Sequence, residues 1–510
     1  MMPPSASPGP SPGPSSGPGA ARAWHAELAW LPGVGVLPDV LIEAAGDRFS
    51  KITPGVAAGT VPPGTIRLAG LTMPALANAH SHAFHRALRG ITQAGRGTFW
   101  TWRERMYQVA ARLDPDNYLA LARAVYAEMA LAGIGCVGEF HYLHHGPEGI
   151  RYTDPNAMSL ALIQAAAEAG IRITLLDTCY LSGGLDPAGW SIALAGPQLR
   201  FGDGTAQAWA RRVSRLRTDE HGLLSSAARI GAAIHSVRAV PPPQIHPVVA
   251  WTHQAGAPLH VHLSEQEAEN EACLAAYRCT PAAVLYDAGA LGPRTTVVHA
   301  THLTSADIRL LGGSETFACL CPTTEADLAD GIGPFGDLAA AGCRLTVGSD
   351  SQAVIDLFEE TRRIEMYQRL ASRERGHFTA EALGTAVTWD GHASLGWPDA
   401  GEIAPGSLAD LLTVSLDSPR LAGLAVRAAA AGFAAAAPAP GGAGPDGGPG
   451  QAPAGRAPDL AALEAVIYAA SPADVRNVVI GGADVVVGGR HLLVEDVPAA
   501  LTAAIRAVLD

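Results

Sequence analysis

The stretch LTMPALANAHSHAFHR, Leu71 to Arg86, carries an apolar, strand-like run straight into three histidines, His80, His82 and His85. Strand side chains alternate with a period of two, so His80 and His82 fall on one side; His85 comes after the strand. The run itself shows no apolar–polar alternation, the pattern of a strand buried on both faces, as in parallel sheets. Seven more such runs follow: GIGCVGEF, IRITLLDT, RIGAAIHS, APLHVHL, TTVVHAT, ETFACLC and CRLTVGS, the last ending at Ser349. Between most of them lie Ala/Leu-rich, helix-like segments such as NYLALARAVYAEMALA and AMSLALIQAAAEAG. Eight repeats over roughly 280 residues predict an α/β fold of the TIM, or (β/α)8, barrel type. A doubly wound open sheet is the alternative.

Outward from the barrel the pattern changes. Residues 22–70 read as β-rich with turns, and beyond residue 400 GEIAPGSLADLLTV and VRNVVIGGADVVVGGRHL are short strands joined by glycine turns. The two chain ends are expected to build one small β-sandwich domain, from residues 22–70 and 396–510, around a barrel spanning 71–395. Residues 1–21, rich in Pro, Gly and Ser, read as a disordered tail. The Gly/Pro-rich stretch at 437–458 reads as a disordered insertion that cannot bury a core.

Composition narrows the function. The chain has 510 residues, 48% of them apolar, and a formal charge of −13. That charge gives no general attraction to nucleic acid or anionic membrane. No apolar stretch reaches transmembrane length, and the N-terminus has neither the basic nor the apolar region of a signal peptide. The seven cysteines are scattered without metal-ribbon spacing and read as reduced, mostly buried thiols of a cytoplasmic protein. The expected partner is a small-molecule substrate; a homodimer is admitted but not dictated.

The polar residues collect at the C-terminal ends of the runs, the face where barrel enzymes place their active sites. Run one ends in His80 and His82, run two in Glu139-Phe140-His141-Tyr142, and run four leads through His235 to Arg238. Run five carries His260 and His262 and then Glu265, run six ends at His299 and His302, and run eight leads to Asp350. H-x-H alone is a weak signal. With His262 as a third nitrogen and Asp350 as an oxygen it makes a catalytic metal site for Zn²⁺ or another divalent ion, with a position left for water. Glu265, three residues past His262, can exchange a proton with the attacking water without being a ligand. Glu267 and Glu269 fit exposed positions at the start of a helix better. His299 is placed to polarise the nucleophile, and His302 reads as structural. Lys51 is the only lysine, so no lysine can bridge two metals in the runs, and one metal is inferred.

These residues resemble the amidohydrolase superfamily, in its mononuclear deaminase branch. The blocks NAHSHAFHRALRG, FWTWRERMY, VGEFHYLHH, IHSVRAV, HVHLSEQ, VHATHL, CPTTEADLADGI and GSDSQ together look like the formimidoylglutamate deiminases of histidine catabolism, over residues 71 to about 370. H-x-H is generic, and FWTWRERMY and EFHYLHH carry the narrower assignment. The resemblance implies hydrolysis of N-formimino-L-glutamate to N-formyl-L-glutamate and ammonia. It implies zinc on His80, His82, His262 and Asp350, proton transfer by Glu265, and assistance from His299 and Asp350. It also implies substrate contacts from His85, Arg103, Tyr142, His235 and Arg238, the arginines meeting carboxylates bidentately. Arg105 competes with Arg103 for that role, and Arg103 has an alternative use in pairing with Glu104 or Glu139. The chain departs from the family at His85, where its members carry glutamine. Two other readings stand beside this one: a deaminase of another amidine, guanidine or nucleobase, and a scaffold that has lost catalysis. The second would lack ligands or the proton-transfer carboxylate, and here every expected position is filled.

Overall fold

A computed structural model describes residues 21–93, 96–186, 188–218, 226–423 and 460–510. The expected tail (apart from Ala21) and the expected insertion at 437–458 lie outside the described residues.

All eight apolar runs contribute strands to one parallel sheet. With the chain's strands numbered in order, these are β5 (Leu76–Ser81), β6 (Ile134–His141), β7 (Arg172–Cys179), β10 (Ala228–Ile234), β11 (Leu259–Leu263), β12 (Thr295–His299), β13 (Phe317–Leu320) and β14 (Leu345–Val347). Each pairs with its neighbour in sequence order. The sheet closes where Ser81 bridges Asp350 in parallel. There the Asp350 N–H donates to the His80 carbonyl at 3.0 Å and the His82 N–H to the Asp350 carbonyl at 3.3 Å. The barrel reading therefore prevails over the open sheet. Every residue of β5, β6, β7 and β11 is buried, as expected of strands covered on one face by helices and on the other by the barrel interior.

The chain ends form a second, eight-stranded sheet. Its strands are β1 (Ala21–Leu31), β2 (Gly35–Ala45), β3 (Arg48–Thr53), β4 (Ile66–Pro74), β15 (Leu411–Val414), β16 (Val475–Ile480), β17 (Ala483–Val487) and β18 (Arg490–His491). The two halves join where β4 and β15 pair antiparallel, Leu411 opposite Pro74. The sheet is continuous, in the order β18-β17-β16-β15-β4-β1-β2-β3. Trp24, Ile42, Phe49, Leu68 and Leu411 share its core.

The opening stretch contains a boundary that its hydrophobicity hides. Leu71–Pro74 ends β4 in the small sheet, and Leu76 begins the barrel. Pro74 lacks a ladder donor. The Ala75 N–H then donates to Asp410 in the small sheet (3.2 Å), and the Leu76 N–H to Gly133 at the foot of β6 (3.0 Å). Both halves are equally apolar, so the break leaves no trace in composition. A buried ion pair spans the same junction: the Arg172 guanidinium on β7 donates to Asp410 at 2.6 and 2.9 Å.

Two further features shape the barrel mouth. The helix Phe99–Arg112 carries the FWTWRERMY block and begins with a reciprocal cap between Thr98 and Thr101. A short hairpin, β8 (Gly184–Leu185) with β9 (Ser191–Ile192), follows β7. The seven cysteines are unpaired, six buried and Cys279 half-buried.

Candidate active site

His80 and His82 stand at the end of β5, His262 on β11, and Asp350 one turn past β14. Gly348 makes this approach of β14 to β5 feasible, since a Cβ there would lie 2.6 Å from the His80 Cβ. The Nε2 atoms of His80 and His262 are 3.2 Å apart. Asp350 Oδ1 lies 3.3 Å from His80 Nε2 and 3.4 Å from His82 Nε2. A tetrahedral ion with bonds of about 2.0–2.1 Å sets its donors about 3.3 Å apart, so the four residues fit one metal ion. The far side of two rings is fixed as well. His82 Nδ1 lies 2.9 Å from the Phe140 carbonyl and His262 Nδ1 3.0 Å from the His235 carbonyl. Carbonyls only accept, so each Nδ1 carries the hydrogen and each Nε2 lone pair faces the centre.

Electrostatics favour the same states. Burial pushes the pKa values of His80, His82 and His262 down, and neighbouring imidazoles add to that. Burial alone would raise Asp350, but the hydrogen bond and charge of His80, with His299 and His82, hold its carboxyl below the usual carboxylate range. Neutral imidazoles and an ionised carboxylate are the ligand forms a metal binds.

Beside this set, His299 Nε2 lies 3.7 Å from Glu265 Oε1 and 3.8 Å from Asp350 Oδ2, while its Nδ1 faces Glu325 Oε1 at 3.6 Å. Burial opposes its protonation, yet Glu265, Glu325 and Asp350 together push its pKa well above the ordinary histidine value. Burial raises Glu265 to about 7, partly countered by His299 and reinforced by Asp350. Ser264, His299, Ala300, Asp350 and Gln352 all take left-handed backbone conformations, with φ between +40° and +71°. Such non-glycine residues cost on the order of 1–3 kcal/mol each and collect where geometry serves function.

A pocket of about 670 Å³ opens on the cluster. His82, His262, Glu265, His299 and Asp350 line it, as do His85, Arg103, Tyr142, His235 and Arg238, while His80 lies beneath. All the residues singled out for chemistry or substrate contact are thus brought together. Arg103 stacks on Trp100 (4.4 Å) and Tyr107 (5.6 Å), and among the described residues no carboxylate pairs with it. Glu139, one of the two carboxylates offered as its alternative pairing partner, instead accepts from Ser81 Oγ (2.8 Å) and the Ala83 N–H (2.7 Å). Arg105 is exposed and turns to Gln108. His85 is buried, its Nε2 3.2 Å from the Tyr142 hydroxyl, and burial drives its pKa to about 3. It therefore enters the pocket as a neutral imidazole.

One expectation is overturned. Glu269 is not an exposed helix-start residue: it is buried, 3.5 Å from Arg238 Nε, and fixes that arginine at the pocket edge. Glu267 is exposed as expected, 3.9 Å from His302. Three contributors were not anticipated. Glu325 holds His299 and accepts from the Cys321 N–H. Asp330 is buried and accepts from Gln266. Gln352 donates to Ser81 Oγ and accepts from Ser349 Oγ, which Asn78 Nδ2 in turn meets. This directed chain locks the β5–β14 seam that holds His80, His82 and Asp350. CPTTEADLADGI, with three carboxylates after a strand end, contains Glu325 and Asp330, and GSDSQ contains Gln352, but neither block marks their roles.

The amidohydrolase family model matches residues 71–485. The chain is 38% identical to formimidoylglutamate deiminase of Pseudomonas aeruginosa, over 78% of this chain and 87% of that one. It is 29% identical to 8-oxoguanine deaminase of the same organism, over 69% and 76%. An amidohydrolase from Brucella melitensis superposes with a TM-score of 0.81 at 30% identity, covering 96% of this chain and all of that one. Members of the family usually bind a divalent metal, and His80, His82, His262, His299 and Asp350 form groups able to hold one. Among the described residues no helix is long and apolar enough to cross a membrane. The protein is a hydrolase acting on C–N bonds of a small molecule. Barrel, ligand set and extent of match agree: the chain belongs to the amidohydrolase family.

Proposed function

We propose that the protein hydrolyses N-formimino-L-glutamate to N-formyl-L-glutamate and ammonia, a step of histidine degradation, with zinc as its metal. The observation that carries this reading is the convergence of two arginines, Arg103 and Arg238, in one pocket with the ligand set. A nucleobase offers no carboxylate for them; a glutamyl group offers two.

His80, His82, His262 and Asp350 would hold the metal. When bound, the ion makes a water nucleophilic near neutral pH and polarises the reacting carbon. Glu265 takes a proton from the attacking water and returns it to the departing nitrogen, the task a carboxyl near pKa 7 performs at neutral pH. Asp350 and His299 orient the nucleophile from the other side. Attack on the formimino carbon gives a tetrahedral intermediate; its hydroxyl proton passes by way of Glu265 to the amino nitrogen, which leaves as ammonia as the formyl C=O forms. Arg103 and Arg238 bind the carboxylates, and His85, Tyr142 and His235 contact the chain between them and the formimino end. A neutral His85 can still donate one hydrogen bond where the family has an amide. The enzyme would work in the cytoplasm, without nucleic-acid or membrane partners, alone or as a homodimer.

The test is ammonia release from N-formimino-L-glutamate, with and without a chelator, alongside guanine. Chelator-sensitive release from the first substrate alone is expected. Release from guanine and none from formiminoglutamate would overturn the reading.

A further inference from the structure

A buried glutamine lies behind the pocket's outer wall. Gln198 lies in the turn Gly196–Arg200 and does not line the pocket. Its Nε2 is 3.0 Å from the Tyr107 hydroxyl, 3.4 Å from the Tyr180 hydroxyl and 3.3 Å from the Gly183 carbonyl. Its Oε1 accepts from the Ala195 N–H at 3.4 Å. A backbone carbonyl only accepts and a backbone N–H only donates, so the amide has one orientation that satisfies both. The fit is close: a Cβ on Gly183 would come within 2.9 Å of Gln198 Oε1.

Both phenols line the pocket beside its cationic groups. Tyr107 lies under the Arg103 guanidinium, and the Tyr180 ring is 4.3 Å from that of His235. A hydroxyl can donate or accept, and on its own would not favour an anion. An amide nitrogen only donates, so neither phenol can give its proton to Gln198 Nε2, and each must direct it elsewhere. One phenol can donate to the other; among the described residues no other protein acceptor meets either hydroxyl. At least one proton is left for the pocket. With Arg103 and Arg238, the wall becomes a surface of donors, which is what a carboxylate requires.

We infer that Gln198 is a specificity-determining positioning residue: through Tyr107 and Tyr180 it makes the pocket's outer wall selective for a substrate's second carboxylate. This rests on the dicarboxylate reading above.

The test uses the zinc-loaded full-length enzyme, with glutarate as a two-carboxylate probe and butyrate as its one-carboxylate counterpart. Wild type is expected to prefer glutarate. Gln198→Glu puts an acceptor where the donor stood and turns the phenol protons away from the pocket, so the glutarate Kd should rise roughly tenfold or more, and the preference over butyrate should collapse. Gln198→Met, which removes the donor and the Ala195 acceptor without putting a charge beside the phenols, should give a smaller rise. In turnover, KM for N-formimino-L-glutamate should rise while kcat and zinc content hold, a split that general loosening of the fold would not produce. Tyr107→Phe removes one donor without touching the turn, and should weaken glutarate several-fold even if the Gln198 variants fold poorly. Wild-type glutarate binding in both Gln198→Glu and Tyr107→Phe would overturn the inference alone. A wild type that does not distinguish glutarate from butyrate would overturn the dicarboxylate reading, and the inference with it.

Discussion

Glu265 is the residue on which the proposed chemistry turns. It is buried, 3.7 Å from His299, and lifted to about 7, which suits a group that must both take and give a proton near neutrality. Glu265→Gln keeps the shape and removes the proton transfer. It should lower kcat by about 10²–10⁴-fold and leave stoichiometric metal in place, checked by steady-state ammonia release with elemental analysis. Loss of metal in parallel with activity would instead make Glu265 part of the binding site. At this scale the sequence was informative where chemistry repeats a local rule. H-x-H on a strand puts two imidazoles on one side whatever surrounds them, and a carboxylate three residues past His262 stays close to it. Glu269 was illegible for the opposite reason. Its neighbours in SEQEAENEA are mostly polar, and only the fold reveals that it turns inward to Arg238. Glu325 likewise acquires its place from the short helix Pro322–Asp327 after β13, and Asp330 from the loop that follows, whose course no local pattern dictates.

At the scale of elements, the eight barrel strands could be recognised because burial on both faces removes alternation, and a continuous apolar run is a strong local signal. The same property concealed the junction at Ala75, since a strand of the small sheet and a strand of the barrel are equally apolar there. The helix Phe99–Arg112, which brings Arg103 and Tyr107 to the pocket, is legible in its block of residues but not in its support. That support is Arg200, fully buried in the turn that also carries Gln198. Its guanidinium donates to the Ala110 and Leu113 carbonyls at the helix C-terminus and, at 2.8 Å, to the His145 carbonyl. A cation at that end also suits the helix dipole. Arg200→Met should leave these carbonyls without donors, cost about 2–4 kcal/mol of stability, and raise KM more than it lowers kcat, because Arg103 and Tyr107 ride on that helix. Thermal melts with paired KM and kcat measurements check this; an unchanged KM would show that the helix is held by packing alone.

At the scale of the whole molecule stands a second ionic cluster, none of whose residues lines the pocket. Behind β6 and β7, Arg212 pairs with Asp177 at 2.8 Å and Asp203 at 2.9 Å, all three buried. His145 faces Asp203 at 3.3 Å and His144 faces Asp177 at 3.9 Å, with Asn156 Oδ1 and the Trp209 N–H completing the contacts. Burial alone would raise both carboxyls. Arg212 outweighs it at Asp177, and His145 with Arg212 outweighs it at Asp203, so both are held below their ordinary values. A carboxyl whose folded pKa is depressed stabilises the fold fully above its unfolded value, about 3.9 for aspartate, and loses that contribution as pH falls toward the folded value. Arg212→Met reverses the sign. Two buried carboxylates without their cation prefer to be protonated, so their folded pKa values rise above the unfolded ones, and the variant gains stability as pH falls. At pH 7 the variant should be less stable than wild type by about 3–5 kcal/mol, the cost of leaving buried charge unpaired. The gap should narrow steadily between pH 7 and pH 4.5. Thermal midpoints of the two proteins across that range decide it: a gap independent of pH would mean that Arg212 acts by filling space, and that the cluster's charges contribute nothing to holding the barrel wall.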